Sequence, residues 1–213
     1  MGLFITFEGG EGCGKSTQAK RLSSELERHG HRVTLTYEPG GTPLGEELRR
    51  SLKKVREFGV TAEAELFLFA AARRELTAAV IVPALEQGGI VVCDRYADST
   101  TAYQGYGRGL PLDTVAMVNR LATGGLRPDL TVLLDMDPAR ALLRKKRLRD
   151  RFEHESAEFH ERVRSGYLAL AKAEPSRWLI LDAGSPPSVT APLIWSRVAS
   201  LLCDSRSSVL RPS

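Results

Sequence analysis

The stretch Gly9-Gly10-Glu11-Gly12-Cys13-Gly14-Lys15-Ser16-Thr17 follows directly on the apolar run Leu3-Phe4-Ile5-Thr6-Phe7. Gly9, Gly14, Lys15 and Ser16 satisfy the pattern G-x-x-x-x-G-K-[ST]. Each residue type has a physical reason. Glycines let successive backbone N–H groups turn inward toward polyphosphate oxygens. Lys15 adds a mobile positive charge for the β- and γ-phosphates, and the Ser16 hydroxyl is a Mg²⁺ ligand. A helix beginning at Gly14 points its positive dipole end at the same place. The alternative is a glycine-rich surface turn. Context opposes it, because strand-like residues precede the loop and the helical pattern Ala19, Leu22, Leu26 follows.

Outward from this loop, short apolar runs alternate with longer amphipathic segments. Strands are predicted near Leu3–Phe7, Arg32–Tyr37, Ile90–Cys93, Leu130–Leu134 and Trp178–Leu181. Continuous apolar strands separated by helices are the signature of a parallel sheet covered on both faces. Ligands then collect at the carboxyl ends of the strands, where the chain places its chemistry-bearing residues. The 213 residues suffice for one α/β domain, expected over 1–204, with 205–213 an unpatterned tail. Hydrophobic content of 42% and charged content of 26% are ordinary for a globular protein. The net charge of +4 suits small polyanions or nucleic acid. Clustering of arginines favours a local phosphate site over a nucleic-acid stripe. Cys13, Cys93 and Cys203 have no metal-ligand spacing and no even pairing. No charged n-region precedes the first strand, and no apolar run approaches the ~18 residues of a membrane span. A reducing cytoplasm, with no membrane partner, is the simplest expectation.

The second predicted strand leads into Glu38-Pro39-Gly40-Gly41-Thr42-Pro43. Thr42 and Pro43 suit an N-cap and first helical residue. A connecting turn explains the Pro and Gly but not an acidic residue at the strand end. The next helix carries Arg49, Arg50, Lys53 and Lys54, usually a solvated face, although one arginine can reach inward to a phosphate. Residues 64–84 read as one helix with an apolar stripe at Leu66, Phe69, Leu76 and Val80, on which Arg73 also falls. A guanidinium there either snorkels or, the favoured reading, forms a pocket wall in which Phe69 stacks on a planar ring. Asp94-Arg95-Tyr96 ends the third strand, so Asp94 can hold Mg²⁺ and Arg95 can neutralise a phosphoryl group. Thr100 and Gln104, four apart, suit reading the edge of a base; a capping hydroxyl and a surface amide are the plain alternative.

Leu134-Asp135-Met136-Asp137-Pro138 closes the fourth strand, with Asp137 read as a helix cap. Arg140, Arg144, Arg147 and Arg151 recur at spacings of four, three and four, so one helical face would bear them all. Such a run is a solvated face, a nucleic-acid patch, or a lid that closes on a transferring phosphate. Phe159, Val163, Tyr167 and Leu170 read as core. At Leu181-Asp182-Ala183-Gly184 a turn can cradle an adenine, and an ordinary strand-to-helix turn is equally consistent.

Taken together, the phosphate loop with Glu11, EPGGT at 38–42, FAAAR at 69–73, DRY at 94–96, STTAYQGYGRG at 99–109, RPDLTVLLD at 127–135 and DRFE at 150–153 resemble the bacterial thymidylate kinase family over most of the chain. The resemblance implies a P-loop NTPase fold, a five-stranded parallel sheet flanked by helices on both faces, and a short basic lid at about 144–153. It implies phosphoryl transfer from ATP to dTMP with Mg²⁺, in a homodimer. ATP would meet Gly9 to Thr17, including Gly10, Glu11, Gly12 and Cys13, with Asp182 and Ala183 near the adenine. Glu11 would also face the sugar 3′-hydroxyl. Phe69 would stack on thymine, ringed by Arg73, Thr100, Tyr103 and Gln104, with Glu38 and Pro39 beside it. Arg49 and Arg95 would hold the monophosphate, Ser16 and Asp94 the metal. Lys15, Arg95 and the lid residues Arg144, Arg149 and Arg151 would carry catalysis, the family's bacterial type lacking an arginine within its phosphate loop. Two departures stand out. Tyr37 occupies the place of an arginine, whose contact Arg49, Arg50 or Arg74 would supply, and the lid is slightly short. Rival readings are a kinase for another nucleotide or deoxynucleoside and, more remotely, a nucleotide-dependent switch or nucleic-acid-binding module. No guanine-reading Asn-Lys-x-Asp element is present.

Overall fold

The computed structural model describes residues 2–54, 59–144 and 151–209. Five strands, β1 Leu3–Glu8, β2 Val33–Tyr37, β3 Ile90–Asp94, β4 Leu130–Asp135 and β5 Trp178–Asp182, form one parallel sheet in the order β2-β3-β1-β4-β5. These are the five predicted runs, each within a residue of its expected bounds. The order places β1 centrally, between β3 and β4. The chain leaves β1 to one side for β2 and β3 and crosses to the other for β4. The carboxyl end of β1 therefore lies at the switch point where parallel sheets bind ligands.

Alternation along β1 explains why both faces are covered. Ile5 and Phe7 pack with Ala19, Leu22 and Leu26 of α1 (Lys15–Arg28) and with Ile194 and Val198 of α9 (Pro187–Val209). Phe4 points the other way, into a cluster with Leu76, Ile81 and Leu85. On β4, Val132 and Leu134 join the α1 side, whereas Leu133 joins Phe159, Val163 and Tyr167 of α8 (Ala157–Ala173). Each fully buried Leu or Phe contributes roughly 1.5–3 kcal/mol. A polar substitution at Phe7 or Leu26 would breach the layer that seats α1.

The segment read as one helix over 64–84 is three. After α3 (Ala62–Leu76), residues Thr77–Ile81 widen to π geometry before the short α4 (Val82–Glu86). Pro83 is the physical reason. It lacks an N–H, and its ring crowds the carbonyl four residues back, so the helix accommodates it by widening upstream. A second π segment, Thr101–Gly107, continues α5 (Ala97–Thr100). The predicted cap of α2 (Pro43–Lys53) is present: Thr42 Oγ1 accepts from Gly45 N at 3.0 Å, with Pro43 at the first position. Helix α6 (Leu112–Thr123) packs against α3 and ends at Gly124. Asp137 Oδ1 accepts from Arg140 N, capping α7 (Pro138–Leu143). Helix α9 runs on to Val209, into the stretch expected to lack structure. Among the described residues no helix is long and apolar enough to cross a membrane.

Candidate active site

The loop between β1 and α1 is built by glycine. Gly9 sits at φ 134°, and a Cβ there would lie 2.4 Å from the Leu134 carbonyl oxygen of the neighbouring strand. Gly14, at φ 87°, turns the chain into α1 without a side-chain cap. The first amides of α1 are thus left for an anion. Lys15 is 7% exposed, and its Nζ folds over the loop to donate to Gly10 O at 2.6 Å and Gly9 O at 3.1 Å. Burial lowers its affinity for a proton, and Arg95 adds to that, against the pull of Glu11 and Asp94. A polyanion would relieve both penalties.

The Ser16 hydroxyl donates to Asp94 Oδ2, so two hard oxygens converge at the mouth of the loop. They fit Mg²⁺, which takes one or two protein oxygens and completes its octahedron with phosphate and water. Among the described residues no group of three or more His, Cys, Asp or Glu is arranged as a metal cage. The donor set therefore suits a metal carried in with phosphates.

Arg95, next after β3, occupies φ 75°, rare for a residue with a side chain and costing of order 1–3 kcal/mol. Its surroundings hold it there. The backbone N donates to Phe7 O, and the guanidinium donates to Glu11 Oε1 at 2.7 Å and to Ser99, Tyr103 and Tyr167 at 3.1 Å. Beneath lies Glu8, fully buried, accepting from Tyr96 N (2.8 Å), Ser99 Oγ (2.5 Å) and Tyr167 Oη (2.9 Å). Burial and the nearby Asp98 charge raise its carboxyl to about 7, despite Arg95 and these hydrogen bonds. Tyr167, read from sequence as core, is buried but uses its hydroxyl to tie Glu8 to Arg95.

Across the cleft, Arg73 is 1% exposed. Nε and Nη2 both donate to Glu38 Oε2 (2.9 and 2.7 Å), Nη1 to Asn119 Oδ1 (2.8 Å), and Nη2 also to Thr100 Oγ1 (2.9 Å). Thr100 thereby holds Arg73. Gln104 turns its Nε2 to Glu65 Oε1 at 2.6 Å. Arg49 donates to Pro39 O at 2.7 Å and stacks over Tyr37, while Tyr37 Oη donates to Glu46. Of the three basic residues considered as substitutes for the missing arginine, Arg49 is the one that lines the cavity.

One cavity of about 610 Å³ joins both halves, within the range of small-molecule sites. Its walls include Glu11, Gly12, Lys15, Ser16 and Thr17 on the loop side, Asp94 and Arg95 at the centre, and Phe69, Arg73 and Gln104 on the far side. Glu38, Pro39, Arg49, Thr100 and Tyr103 also line it. Gly9, Gly10 and Cys13 of the loop are not among its walls; Cys13 is buried, donating weakly to Glu11 O. The structure does not bring every expected residue to this wall. Arg144 donates to Ala183 O (2.7 Å) and Gly184 O (3.3 Å), so it engages the Asp182–Ala183 turn. Arg151 pairs with Glu65 Oε2 at 2.7 Å and donates to Leu52 O. Arg149, with Arg147, lies outside the described residues. Asp135, the other carboxylate at the end of β4, is taken by Arg164 at 2.8 and 2.9 Å.

Sequence reasoning missed Glu8, Glu65, Ser99, Arg108 and Asn119. Glu8 carried the signal that exposed Asp94, a carboxylate ending an apolar strand. Glu65 precedes Phe69 and Arg73 at intervals of four, on the stripe that exposed Arg73. Asn119, on a helix distant in sequence, gave no local sign.

Comparison with known proteins agrees with this geometry. Residues 7–193 match the family described as Thymidylate kinase. A thymidylate kinase of Dehalococcoides mccartyi is 57% identical over 95% of this chain and 98% of its own length. One of Desulforudis audaxviator is 52% identical over 95% and 93%. The crystal structure of thymidylate kinase from Ehrlichia chaffeensis superposes with a TM-score of 0.71 at 38% identity, over 84% of this chain and 92% of that one. The chain belongs to the thymidylate kinase family.

Proposed function

We propose that the chain transfers the γ-phosphoryl group of ATP to dTMP, giving dTDP and ADP. The carrying observation is the single cavity that opens from a phosphate loop at one end to Phe69, Arg73 and Gln104 at the other. In the transfer, a phosphate oxygen of dTMP forms a bond to the γ-phosphorus while the bond to the β–γ bridging oxygen breaks. Little covalent work falls to the protein. It aligns the two oxygens and neutralises charge spread over the transferring group. Lys15 and the amides opening α1 receive the donor phosphates. Arg95, fixed from four sides, and Arg49 receive the acceptor phosphate. Phe69 stacks on the thymine, with Arg73 and Gln104 at its edge. Glu11, already bonded to Arg95 and Tyr103, faces the deoxyribose. Ser16 and Asp94 would hold Mg²⁺, which when bound neutralises phosphate charge.

The lid at about 144–153 belongs to the same proposal, with Arg144, Arg149 and Arg151 as its clamp on the transferred group; Arg144 and Arg151 are held by protein groups. The kinase domain spans 1–204. A homodimer in the cytoplasm completes the proposal. It is supported by Phe67 on α3 and Met117 and Leu121 on the adjacent α6, large apolar side chains at least 59% exposed.

A purified-protein panel of dTMP, dUMP, dCMP, dGMP and thymidine with ATP tests the reading. Turnover of dTMP is expected well above the rest. Preference for another acceptor, or ATP hydrolysis indifferent to acceptor, would overturn it.

A further inference from the structure

Glu65 is a carboxylate with no exposure, on α3, outside the walls of the cavity. Two residues donate to it, and a third, from another part of the chain, lies beside it as a counter-ion. Gln104 Nε2 donates to Oε1 at 2.6 Å. Arg108 donates from Nε to Oε1 (3.2 Å) and from Nη2 to Oε2 (3.1 Å). Arg151 Nη2 lies 2.7 Å from Oε2. Arg108 in turn pairs with Glu155 and stacks over Phe159. With two guanidiniums as counter-ions, both Glu65 oxygens act as acceptors. That settles a choice otherwise open for any glutamine, namely which end of its amide faces outward. The Gln104 NH₂ group is committed inward. Its carbonyl oxygen is left for the cavity that Gln104 lines, and among the described residues it takes no hydrogen bond.

We propose that Glu65 is a specificity-determining positioning residue: by taking the Gln104 NH₂ group it presents a hydrogen-bond acceptor to the nucleobase, so the site selects a pyrimidine whose ring edge donates an N–H. This rests on the reading of the cavity as the thymidylate site. Thymine and uracil carry N3–H; cytosine carries a lone pair at N3 and an amino group at C4. Were the amide free to rotate, its NH₂ group would serve the cytosine edge equally well. A buried acceptor left facing another acceptor is penalised far more than a missing methyl group. The charge on Glu65 thus acts on the base at one remove, through the orientation of Gln104.

The test compares dTMP with 5-methyl-dCMP, which share the methyl group and differ at the base edge. In Glu65→Gln, the kcat/KM ratio between them should fall at least about tenfold. A merely structural role would lower both substrates together and leave the ratio unchanged. Glu65→Asp guards against failure to fold, since it keeps the charge for both arginines but withdraws the carboxylate from Gln104; its ratio should fall in the same direction. Folded variants with the wild-type ratio overturn the proposal. So does failure of both variants to fold, which would make Glu65 structural. If the wild-type protein itself phosphorylates neither nucleotide, the thymidylate reading fails instead.

Discussion

Glu38→Gln removes one charge from a buried pair while leaving its shape intact. Arg73 Nη2 and Nε both donate to Glu38 Oε2, at 2.7 and 2.9 Å, and among the described residues the other carboxylate oxygen has no hydrogen-bond partner. The substituted amide can keep its oxygen toward Arg73 and lose no hydrogen bond. Only the Coulomb attraction goes. At ~4 Å between charge centres and an effective dielectric of ~20 this is about 4 kcal/mol. Against it stands the burial penalty on Glu38, which raises its carboxyl and which the neutral amide escapes. The Arg73 charge, 1% exposed, is then uncompensated, a situation that typically costs 3–5 kcal/mol. A net loss of about 3 kcal/mol corresponds to a fall in Tm of about 6–12 °C for a chain of this size. Urea and thermal unfolding at pH 7.5 measure it. Adding Arg73→Met should recover most of the stability, because a pair replaced from both sides leaves no orphaned charge. A fall in Tm under 2 °C for Glu38→Gln, or no recovery in the double variant, would refute this reasoning.

Lys15→Ala should lower kcat by about 10²–10³ with little change in dTMP affinity, since its charge serves the transferring group; steady-state kinetics with calorimetric Kd values decide, and unchanged turnover would remove Lys15 from the mechanism. Gln104→Ala should weaken dTMP binding and discrimination, and calorimetry showing neither would take it out of the base pocket. Glu8 has a folded-state value of about 7 against an ordinary 4.5, so its contribution to stability is complete below 4.5 and is lost as pH rises through 7, by about 3 kcal/mol. Urea unfolding of Glu8→Gln beside the parent from pH 4.5 to 8 should show the difference between them changing by that order, and parallel curves would count against it. Chelation of Mg²⁺ should abolish transfer yet leave the Tm of nucleotide-free protein unchanged, because no carboxylate cage among the described residues depends on the ion; differential scanning calorimetry checks the second half.

The sheet was legible because its strands are buried on both faces and so read as unbroken apolar runs such as Ile90-Val91-Val92-Cys93. The phosphate loop was legible because Gly9 and Gly14 need conformations that few residues adopt. Burial was legible for Arg73, a charge on an apolar stripe. Its partners were not, since Glu38, Asn119 and Thr100 come from distant segments that only the fold unites. Neither π segment showed in the periodicity, because a single widened turn shifts the pattern by one residue and is averaged away over a helical window. The basic run illustrates the opposite failure. Spacings of four, three and four between Arg140, Arg144, Arg147 and Arg151 suggested one helical face, yet α7 stops at Leu143, and Arg144 and Arg151 turn to different anchors, the Ala183 carbonyl and Glu65. Arginine spacing carries no information about which acceptors lie within reach.

The most direct test of the proposed activity is ³¹P NMR of purified protein with ATP, Mg²⁺ and dTMP. The dTMP resonance should disappear as the paired resonances of dTDP grow in step with those of ADP, with no inorganic phosphate released. Inorganic phosphate accumulating while dTMP persists, or ATP left unchanged beside it, would contradict phosphoryl transfer to this acceptor.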